Sequence, residues 1–508
     1  MLAKVLTSAV VGIDAYVVEV EVDISWGLPA FTTVGLPEIS VKESKERVKA
    51  AIANSGYGFP DDRITVNLAP ANVKKNGTGF DLPIAMGILA ATGVVPEKDA
   101  GRFLMMGELS LDGRIKPVNG SLPMAMAAKS SGYASILVPY DNRREASVVG
   151  GISVVGVKTL AEAVDHVRGV GEIAPEQFDP REAFSGFDRI EFDFSEVAGQ
   201  EHVKRAMEVA AAGGHNLLMI GSPGSGKTMM AKRFSGIVPA MTFEESIETT
   251  KIFSVAGLLE KDQALVTQRP FRSPHHTISD AGMIGGGNVP RPGEVSLSHN
   301  GVLFLDELAE FKRPVLEGLR QPLEDRQVTI SRAATSITYP SGFIMISAMN
   351  PCPCGYAADP KQSCKCSYHQ IQQYRNKISG PLLDRIDIHV EVPPVAYRDL
   401  RNAAASESSQ AIRERVTAAR HHQARRFDRE KIHTNAQMQN RHIKKFCVID
   451  DVSAQLLEAA VEKFGLSARA YNRILKISRT IADLSGDAGI KPEHIAEAVQ
   501  YRSLDRHK

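Results

Sequence analysis

The 508-residue chain has few cysteines, almost no excess charge and no long apolar run, and each absence excludes a class of protein. Five cysteines, four of them between positions 352 and 366, are too few and too clustered for a disulfide scaffold, and they predict a reducing, cytoplasmic location. A formal net charge of +1 carries no global signal for nucleic acid or a membrane surface. Any basic binding surface must therefore be local.

The apolar segments are too short or too interrupted to enter a membrane. The stretch 1–23 is interrupted by Lys4, Asp14 and Glu19, so it lacks the apolar core of a signal peptide. The apolar stretch 81–95 is shorter than the ~20 residues of a membrane span, and it predicts a buried helix instead. We expect no association with a membrane.

The remaining composition is that of an ordinary globular protein, with 43% hydrophobic and 23% charged residues and neither internal repeats nor low-complexity tracts. Residues 1–170 alternate strand-like and helix-like segments, and a polar linker follows at 171–191. Residues 192–393 carry the motifs of a nucleotide-binding unit, and residues 394–508 have helical spacing. These patterns predict an α/β protein with three domains.

A glycine-rich phosphate-binding loop, GSPGSGKT at 221–228, is the strongest motif in the chain. An apolar run at 215–220 predicts a buried strand before it, and 228–238 predicts a helix after it, which distinguishes a true P-loop from a glycine-rich turn. Lys227 would contact the β- and γ-phosphates of ATP, and Thr228 would bind Mg²⁺. The predicted nucleotide-binding residues are Gly221, Ser222, Pro223, Gly224, Ser225, Gly226, Lys227 and Thr228.

Two further apolar segments end in polar residues suited to ATP hydrolysis. GVLFLDE (301–307) delivers Asp306, expected to hold Mg²⁺, and Glu307, expected to orient or deprotonate the attacking water. GFIMISAMNP (342–351) ends in Asn350, whose amide could contact both the γ-phosphate and the water. Surface acids or a turn asparagine would be the alternatives if the P-loop were absent.

Two arginine-bearing segments follow, and each has two interpretations. Arg385 lies between Asp384 and Asp387, so it either pairs with these acids or acts as an arginine finger on the γ-phosphate of an adjacent subunit. Arg469 and Arg473 lie one turn apart on an amphipathic segment. Either could report the nucleotide state to the helical domain, but a solvated helix face explains both equally well.

In this order the motifs resemble AAA+ ATPases, more narrowly the magnesium-chelatase-like branch and its YifB/ComM family of bacterial competence-associated proteins. The resembling segments are FSEVAGQEHVKRAMEVAAAGGHNLLMIGSPGSGKT, RPFRSPHHTISDAGMIGGGNVPRPGEVSLSHNGVLFLDELAEF, SAMNPCPCG and GPLLDRIDIHVEV. The resemblance implies that Asn350 is sensor 1, Arg385 the arginine finger and Arg469 sensor 2. It also implies a hexameric ring with six ATP sites between subunits.

Two insertions in the nucleotide-binding unit would, by the same resemblance, face the pore of the ring. Residues 273–299 are glycine-rich and too long for a simple connection, and residues 328–340 predict a hairpin. The candidate DNA-contacting residues in them are His275, His276, Arg291 and Arg332. For the histidine pair, support of the nucleotide site or of the subunit interface is an equally open alternative.

Four cysteines form a C-x-C-x₉-C-x-C pattern in a loop that contains glycine and proline. The predicted ligands are Cys352, Cys354, Cys364 and Cys366. Four thiolates suit a tetrahedral Zn²⁺, although the usual spacing is C-x₂-C and the tighter pattern needs a sharper turn. Free thiols are the first alternative and disulfides the second. Cys447 stands apart and is expected to be a core residue.

Residues 1–170 resemble the Lon protease fold, chiefly in the segments 74–95 and 107–139. A protease of this type needs a serine nucleophile and a lysine base. At the matching positions the chain has Gly79 and Leu122, neither of which can perform this chemistry. The resemblance therefore implies a structural or DNA-contacting domain, and an ATP-dependent protease is excluded by the missing dyad.

The combined features predict a hexameric, ATP-driven motor that acts on single-stranded or branched DNA. It would resemble the branch-migration helicase of natural transformation and could work with recombination proteins. The basic segment 420–446 suggests phosphate contacts, although a solvated basic helix face is the commoner explanation. The alternative is a protein-remodelling ATPase similar to the magnesium chelatase motor subunit or MoxR-type chaperones, since the same core serves both.

Overall fold

The computed structural model divides the chain into two compact units, Met1–Gly186 with Thr242–Thr267, and Phe187–Met241 with Gln268–Lys508. The residues that the structure describes are 1–184, 191–287, 290–332, 335–357, 359, 362–395 and 406–502. Within these ranges we find no helix whose length and apolar character would let it cross a bilayer.

The first unit is built on a mixed seven-stranded sheet. Its strands, in order across the sheet, are Ala30–Val34, Arg63–Ala69, Asp14–Ser25, Leu2–Val11, Phe103–Met105, Ser135–Pro139 and Ser153–Val157. Strand Asp14–Ser25 pairs antiparallel with both of its neighbours, Arg63–Ala69 and Leu2–Val11. The other neighbouring strands of the sheet pair in parallel. In strand Asp14–Ser25 every second side chain from Val18 to Ile24 is buried, as the alternating sequence predicts. A short ladder joins Glu108–Leu109 to Ile115–Lys116.

Helices cover this sheet and bury its apolar faces. They are Ile39–Lys42, Ser44–Asn54, Asp81–Ala91, Glu97–Ala100, Ser121–Ser130, Arg143–Ser147, Leu160–Val167, Pro180–Phe184 and Phe243–Ala256, with a 3₁₀ turn at Tyr140–Asn142. Asp81–Ala91 is buried along its whole length, as expected for a helix that is apolar all round. The prediction of a buried helix in this stretch is confirmed.

Helix Phe243–Ala256 belongs to the first unit, although in sequence it follows the P-loop helix. Thr242 and Glu245 form a capping box at its start, and the carbonyl of Ser254 accepts a hydrogen bond of 3.2 Å from the amide of Gly120. Leu265, from the segment that follows the helix, packs with Leu122 in one apolar cluster. Leu122, which the resemblance places at the lysine position of a Lon-type protease, is thus buried among apolar side chains.

The second unit contains a five-stranded, wholly parallel sheet. Its strands, in order across the sheet, are Phe271–Arg272, Val302–Leu305, Ile344–Met349, Leu217–Ile220 and Ile388–Glu391. Leu217–Ile220 and Val302–Leu305 are buried at every residue, which is the pattern of parallel strands covered on both faces. The three buried strands predicted from the motifs are therefore confirmed.

Helices and short elements complete the second unit. Around the sheet lie Glu201–Gly213, Lys227–Phe234, Asp280–Ile284, Glu294–Leu297, Arg313–Gly318, Arg320–Asp325, Tyr368–Arg375 and Gly380–Leu383, with 3₁₀ turns at Phe194–Glu196, Ser235–Ile237 and Leu308–Glu310. Two ladders, Gly285–Gly286 with Arg291–Pro292 and Gln327–Arg332 with Thr335–Pro340, form the insertions. The second ladder confirms the predicted hairpin.

The carboxy-terminal part of the second unit is helical, as predicted. Its helices are Ser409–Arg426, Asn440–Phe446, Asp451–Phe464, Ala468–Leu484 and Pro492–Gln500, with a 3₁₀ turn at Asn435–Gln437. The side chains of Ser408, Asp450 and Ser467 each accept a hydrogen bond from a backbone amide in the first turn of a helix. The domain boundaries at 170, 191 and 393 remain predictions.

Candidate nucleotide-binding site

The candidate site lies at the carboxyl edge of the parallel sheet. The P-loop follows strand Leu217–Ile220, and Asn350 follows the adjacent strand, while Asp306 and Glu307 follow the strand beyond it. The amide of Gly221 donates to the carbonyl of Met349 at 3.2 Å, so the loop starts tied to the neighbouring strand. Ligands bind at this edge in open α/β sheets.

The P-loop has the backbone shape that its glycines were expected to allow. Gly224 and Gly226 have φ values of 76° and 90°, in the left-handed region that favours glycine. A Cβ on Gly221 would lie 2.3 Å from the carbonyl oxygen of Val392. The hydroxyl of Ser225 is buried and has no hydrogen-bond partner among the described residues, which leaves it available to a ligand oxygen.

The ammonium of Lys227 lies inside this loop. It donates to the carbonyls of Gly221 at 2.7 Å and Ser222 at 3.0 Å, and to Oδ1 of Asn350 at 3.3 Å. Burial lowers the pKa of Lys227, while the carboxylate of Asp306 acts in the opposite direction. Its hydrogen-bond partners among the described residues are neutral oxygens, so this buried cation is a strong attractor for phosphate.

A hydroxyl and a carboxylate form the candidate Mg²⁺ site beside Lys227. Oγ1 of Thr228 donates to Oδ2 of Asp306 at 2.6 Å. Both groups are hard oxygen ligands, which Mg²⁺ prefers alongside water and phosphate oxygens. Ser225, Lys227, Thr228 and Asp306 together therefore fit ATP with Mg²⁺.

Glu307 is held by a histidine in the first insertion. Its Oε2 lies 3.2 Å from Nδ1 of His276. The backbone of Glu307 is left-handed, with φ at 52°, a conformation that costs roughly 1–3 kcal/mol in a non-glycine residue and that clusters at functional sites. The ring of His276 packs against His275 at a centroid distance of 4.1 Å and edge-on against Phe311.

The predicted DNA-contacting residues thus lie in different surroundings. His276 contacts Glu307, which corresponds to the nucleotide-site alternative, and His275 bonds to the hydroxyl of Thr277 at 2.9 Å. Arg291 is exposed, and the side chain of Arg332 lies outside the described part of the chain. Their contacts with DNA remain predictions.

The two insertions pack against each other. The hydroxyl of Tyr339 in the hairpin donates to the carbonyl of Pro290 in the first insertion at 2.7 Å. A Cβ on Gly285 would lie 2.6 Å from Cδ1 of Ile330, which shows how closely the two segments approach. The insertion that carries His276 is therefore continuous with the hairpin through side-chain contacts.

Arg385 is engaged within its own chain. Its guanidinium pairs with Glu324 and donates to the carbonyl of Pro381 at 2.7 Å. The pKa of Glu324 is lowered, chiefly by its hydrogen bond with Arg385. Nε of Arg385 is buried and has no partner among the described residues. Neither the local pairing with Asp384 and Asp387 nor a contact with the P-loop of the same chain is seen among those residues.

Arg469 and Arg473, the two arginines of helix Ala468–Leu484, differ in their surroundings. Arg473 is 19% exposed and forms an ion pair with Asp387, whose second oxygen lies 3.4 Å from Nδ1 of the buried His215. Arg469 is 65% exposed, and its nearest acid, Asp384, is 3.8 Å away. Arg469 is the more exposed of the two, so it is the better candidate to reach a nucleotide.

The segment with the four clustered cysteines, 352–366, follows Asn350 closely in the sequence. All four sulfurs are within 4.8 Å of one another, and Cys447 is buried elsewhere in the core. Gly355, in the same loop, approaches the P-loop, because a Cβ on it would lie 2.6 Å from Cδ of Pro223. The cluster and the nucleotide site are thus adjacent.

Several contacts at the site were not anticipated from the sequence. The partner of Arg385 is Glu324, and the hydroxyl of the buried Tyr374 hydrogen-bonds to the backbone of Asn350, its pKa raised by burial to about 12. Each partner comes from a different element, so no local pattern could identify it. For His276 the available signal is its place in the long insertion 273–299, next to the nucleotide-binding motifs.

Family models match three segments of the chain. "Magnesium chelatase, subunit ChlI" matches residues 193–400, "Subunit ChlI of Mg-chelatase" matches 20–142, and the ChlI carboxy-terminal model matches 406–502. Competence protein ComM of Haemophilus influenzae is 43% identical over 99% of this chain and 98% of its own length. The uncharacterized protein YifB of Escherichia coli is 42% identical over the same shares.

A separate match concerns the first unit. Lon protease 2 of Bacillus subtilis is 32% identical over 127 residues, which are 25% of this chain and 22% of that protein. The architecture is thus an α/β protein with a Lon-protease-like amino-terminal domain, a P-loop AAA+ core and a helical carboxy-terminal domain, as predicted. The chain belongs to the YifB/ComM family of magnesium-chelatase-like AAA+ ATPases.

Proposed function

We propose that the protein is a hexameric, ATP-hydrolysing motor that moves along or remodels single-stranded or branched DNA in the cytoplasm, alongside recombination proteins. Its cofactors are ATP and Mg²⁺ at the P-loop, with Zn²⁺ at the four-cysteine cluster. The observation that carries the proposal is the contact of His276 with Glu307, because it joins the first insertion to the hydrolytic carboxylate.

Hydrolysis of ATP would divide among a few side chains. Lys227 binds the β- and γ-phosphates, and Thr228 with Asp306 holds Mg²⁺, which supplies positive charge to the phosphate oxygens when bound. Glu307 orients or deprotonates the attacking water, and Asn350, 3.3 Å from the Lys227 ammonium, senses the γ-phosphate. Release of Glu307 from the first insertion would bring its carboxylate to the water.

A ring would complete each site from a neighbouring subunit. Arg385 is bound to Glu324 in the single chain, so it must exchange that acid for the γ-phosphate of the adjacent protomer. Arg469, exposed at the start of helix Ala468–Leu484, would contact the nucleotide from the helical domain. Exchange of one anion for another keeps the guanidinium paired in both states.

DNA as the substrate is supported by family membership and by the packing of the insertions. The relative from Haemophilus influenzae is named a competence protein. The hairpin packs on the insertion that holds His276, so force on Arg291 or Arg332 could reach Glu307.

The basic segment 420–446 contributes less to this argument. Arg426 pairs with Asp483, and Arg420 donates to the carbonyl of Ala211 at 2.7 Å. Both guanidinium groups are therefore engaged within the chain, which reduces the positive charge that this segment can offer to a phosphate backbone.

The rival function is remodelling of a partner protein, since the family also takes the name of magnesium chelatase. The rate of ATP hydrolysis with single-stranded, duplex and four-way-junction DNA, compared with no DNA, separates the two. If the protein is a DNA motor, at least one DNA should raise the rate of ATP hydrolysis. The largest increase is expected with the four-way junction or with single-stranded DNA. Equal rates under all four conditions at low salt would favour the rival.

A further inference from the structure

The sulfur atoms of the four clustered cysteines have the spacing of a metal site. Sγ of Cys352 lies 3.4 Å from that of Cys354 and 3.7 Å from that of Cys364, and Cys354 lies 3.6 Å from Cys364. Tetrahedral zinc with Zn–S bonds of about 2.3 Å places neighbouring sulfurs about 3.8 Å apart. Cys366 completes the set, with all four ligand atoms within 4.8 Å of one another.

Backbone amides donate hydrogen bonds to two of the clustered sulfurs. The amide of Cys366 donates to Sγ of Cys364 at 3.4 Å. The amides of Tyr356 and Lys365 donate to Sγ of Cys354. Donors of this kind support metal-bound thiolates, and a divalent cation offsets the repulsion among four sulfurs so close together.

The described part of the loop that carries the cysteines buries few side chains. Of its described residues between positions 352 and 366, only Cys352 and Gly355 are buried. A polar loop without an apolar core loses conformational entropy on ordering without compensation from burial, and metal binding is the usual substitute. A metal ion bound by the four cysteines would supply the missing stabilisation of this loop.

The cysteine-bearing loop contacts the P-loop, and the helix that follows the loop contacts Asn350. It begins two residues after Asn350, and its first turn is closed by the amide of Gly355, which donates to the carbonyl of Cys352 at 2.9 Å. That turn presses Gly355 against Pro223 of the P-loop. At its other end the loop leads into helix Tyr368–Arg375, whose Tyr374 bonds to the backbone of Asn350.

We propose that Cys352, Cys354, Cys364 and Cys366 bind one structural Zn²⁺, and that this ion fixes the turn that holds Asn350 and the P-loop in their binding positions. The kinetic consequence rests on the proposed ATPase activity, whereas the metal site does not. The ion makes no contact with the nucleotide. Its loss, by chelation or oxidation of the thiols, would weaken ATP binding and hydrolysis together.

Metal content is the first test, on the full-length protein purified under reducing conditions without added zinc. We expect about one zinc per chain in the parent and in the control Cys447→Ala, and almost none in Cys364→Ser/Cys366→Ser. Cys366→His should retain the metal, since imidazole is an accepted ligand, and it tests the site even if the double variant does not fold. A parent without zinc, or a double variant that keeps it, overturns the metal site.

Binding of a non-hydrolysable ATP analogue, together with the ATPase rate, tests the coupling. We expect Cys364→Ser/Cys366→Ser to bind the analogue about tenfold more weakly, and Gly355→Ala to show the same defect while retaining zinc. Gly93→Ala is the matched control, because Gly93 also has a positive φ, at 79°, but a Cβ on it would meet no atom within 4 Å.

Parental affinity for the analogue in both Cys364→Ser/Cys366→Ser and Gly355→Ala overturns the coupling. A zinc-loaded parent that binds the analogue but hydrolyses no ATP contradicts the proposed function and leaves the metal site intact. The two failures are therefore distinguishable.

Discussion

The imidazole of His276 and the carboxylate of Glu307 are 3.2 Å apart, measured from Nδ1 to Oε2. The two residues come from different segments, one in the first insertion and the other at the end of strand Val302–Leu305. A carboxylate oxygen in contact with the imidazole of His276 is less available to a water molecule. The insertion can therefore restrain hydrolysis until it moves.

The first prediction concerns this restraint. His276→Ala should raise the rate of ATP hydrolysis without DNA by roughly fivefold, the equivalent of ~1 kcal/mol for the loss of one polar contact, and should reduce the stimulation by DNA. His276→Gln, which keeps a donor to Glu307, is the control and should remain close to the parent. Steady-state ATPase assays measure both. A slower basal rate in His276→Ala would mean that the histidine helps Glu307 instead of restraining it.

The second prediction separates binding from turnover. Lys227→Ala should abolish ATP binding, because it removes the buried ammonium from the P-loop. Glu307→Gln should still bind ATP but hydrolyse it on the order of 10²-fold more slowly, since its amide cannot accept a proton. Equilibrium binding and single-turnover hydrolysis measure the two steps. Parental turnover in Glu307→Gln would remove that residue from the mechanism.

The parts of this site that can be predicted from the sequence are those formed by short local segments, whereas contacts between distant segments cannot be predicted. The P-loop, Asp306 with Glu307, and Asn350 could be placed because each is a short segment at the end of an apolar strand, and parallel strands bring such ends to one edge. The contact of Arg385 with Glu324 spans 61 positions, and no local periodicity specifies it.

The same reasoning applies to the fold. The strand Asp14–Ser25 and the helix Asp451–Phe464 could be predicted from alternation and from helical spacing with a following glycine. The buried face of helix Phe243–Ala256 is mostly hydroxyl-bearing, with Ser246, Thr249, Thr250 and Ser254, so no apolar pattern identifies its partner. That this face packs within the amino-terminal unit depends on tertiary contacts such as Leu122 with Leu265.

The third prediction is that Arg385 acts in trans. Arg385→Ala should lower the ATPase rate by about 10³-fold or more in assembled rings, as for arginine fingers generally. Mixtures of Arg385→Ala with Lys227→Ala subunits should exceed either variant alone, because some interfaces regain one intact P-loop and one arginine. Mixed rings that never exceed the single variants, with assembly verified by sedimentation, would contradict the assignment.

The fourth prediction distinguishes the roles of Arg469 and Arg473 in the helical domain. Arg473→Ala should lower the free energy of unfolding by on the order of 3 kcal/mol, because it leaves the buried Asp387 without its ion pair. Arg469→Ala should barely change that free energy, since its side chain is 65% exposed, but should slow ATP hydrolysis. Urea unfolding and ATPase assays measure the two effects. A destabilised Arg469→Ala with parental ATPase would reverse the assignment.

The fifth prediction concerns the hairpin. Arg332→Ala should weaken DNA binding to a similar extent for all sequences and flatten its dependence on salt, because each subunit releases about one counterion fewer. ATP hydrolysis without DNA should remain near the parental rate, since the hairpin is not part of the P-loop site. Salt titrations of binding to two unrelated sequences measure this. An unchanged salt slope would exclude a phosphate contact by Arg332.

Movement of a four-way DNA junction with ATP tests the proposed function most directly. The assay compares the parent with Glu307→Gln and with the parent lacking ATP, at low salt, and measures conversion of the junction into duplex products. A DNA motor predicts conversion by the parent with ATP and none in the other two samples. A parent that hydrolyses ATP yet neither binds nor converts the junction would contradict the proposal and favour a protein substrate.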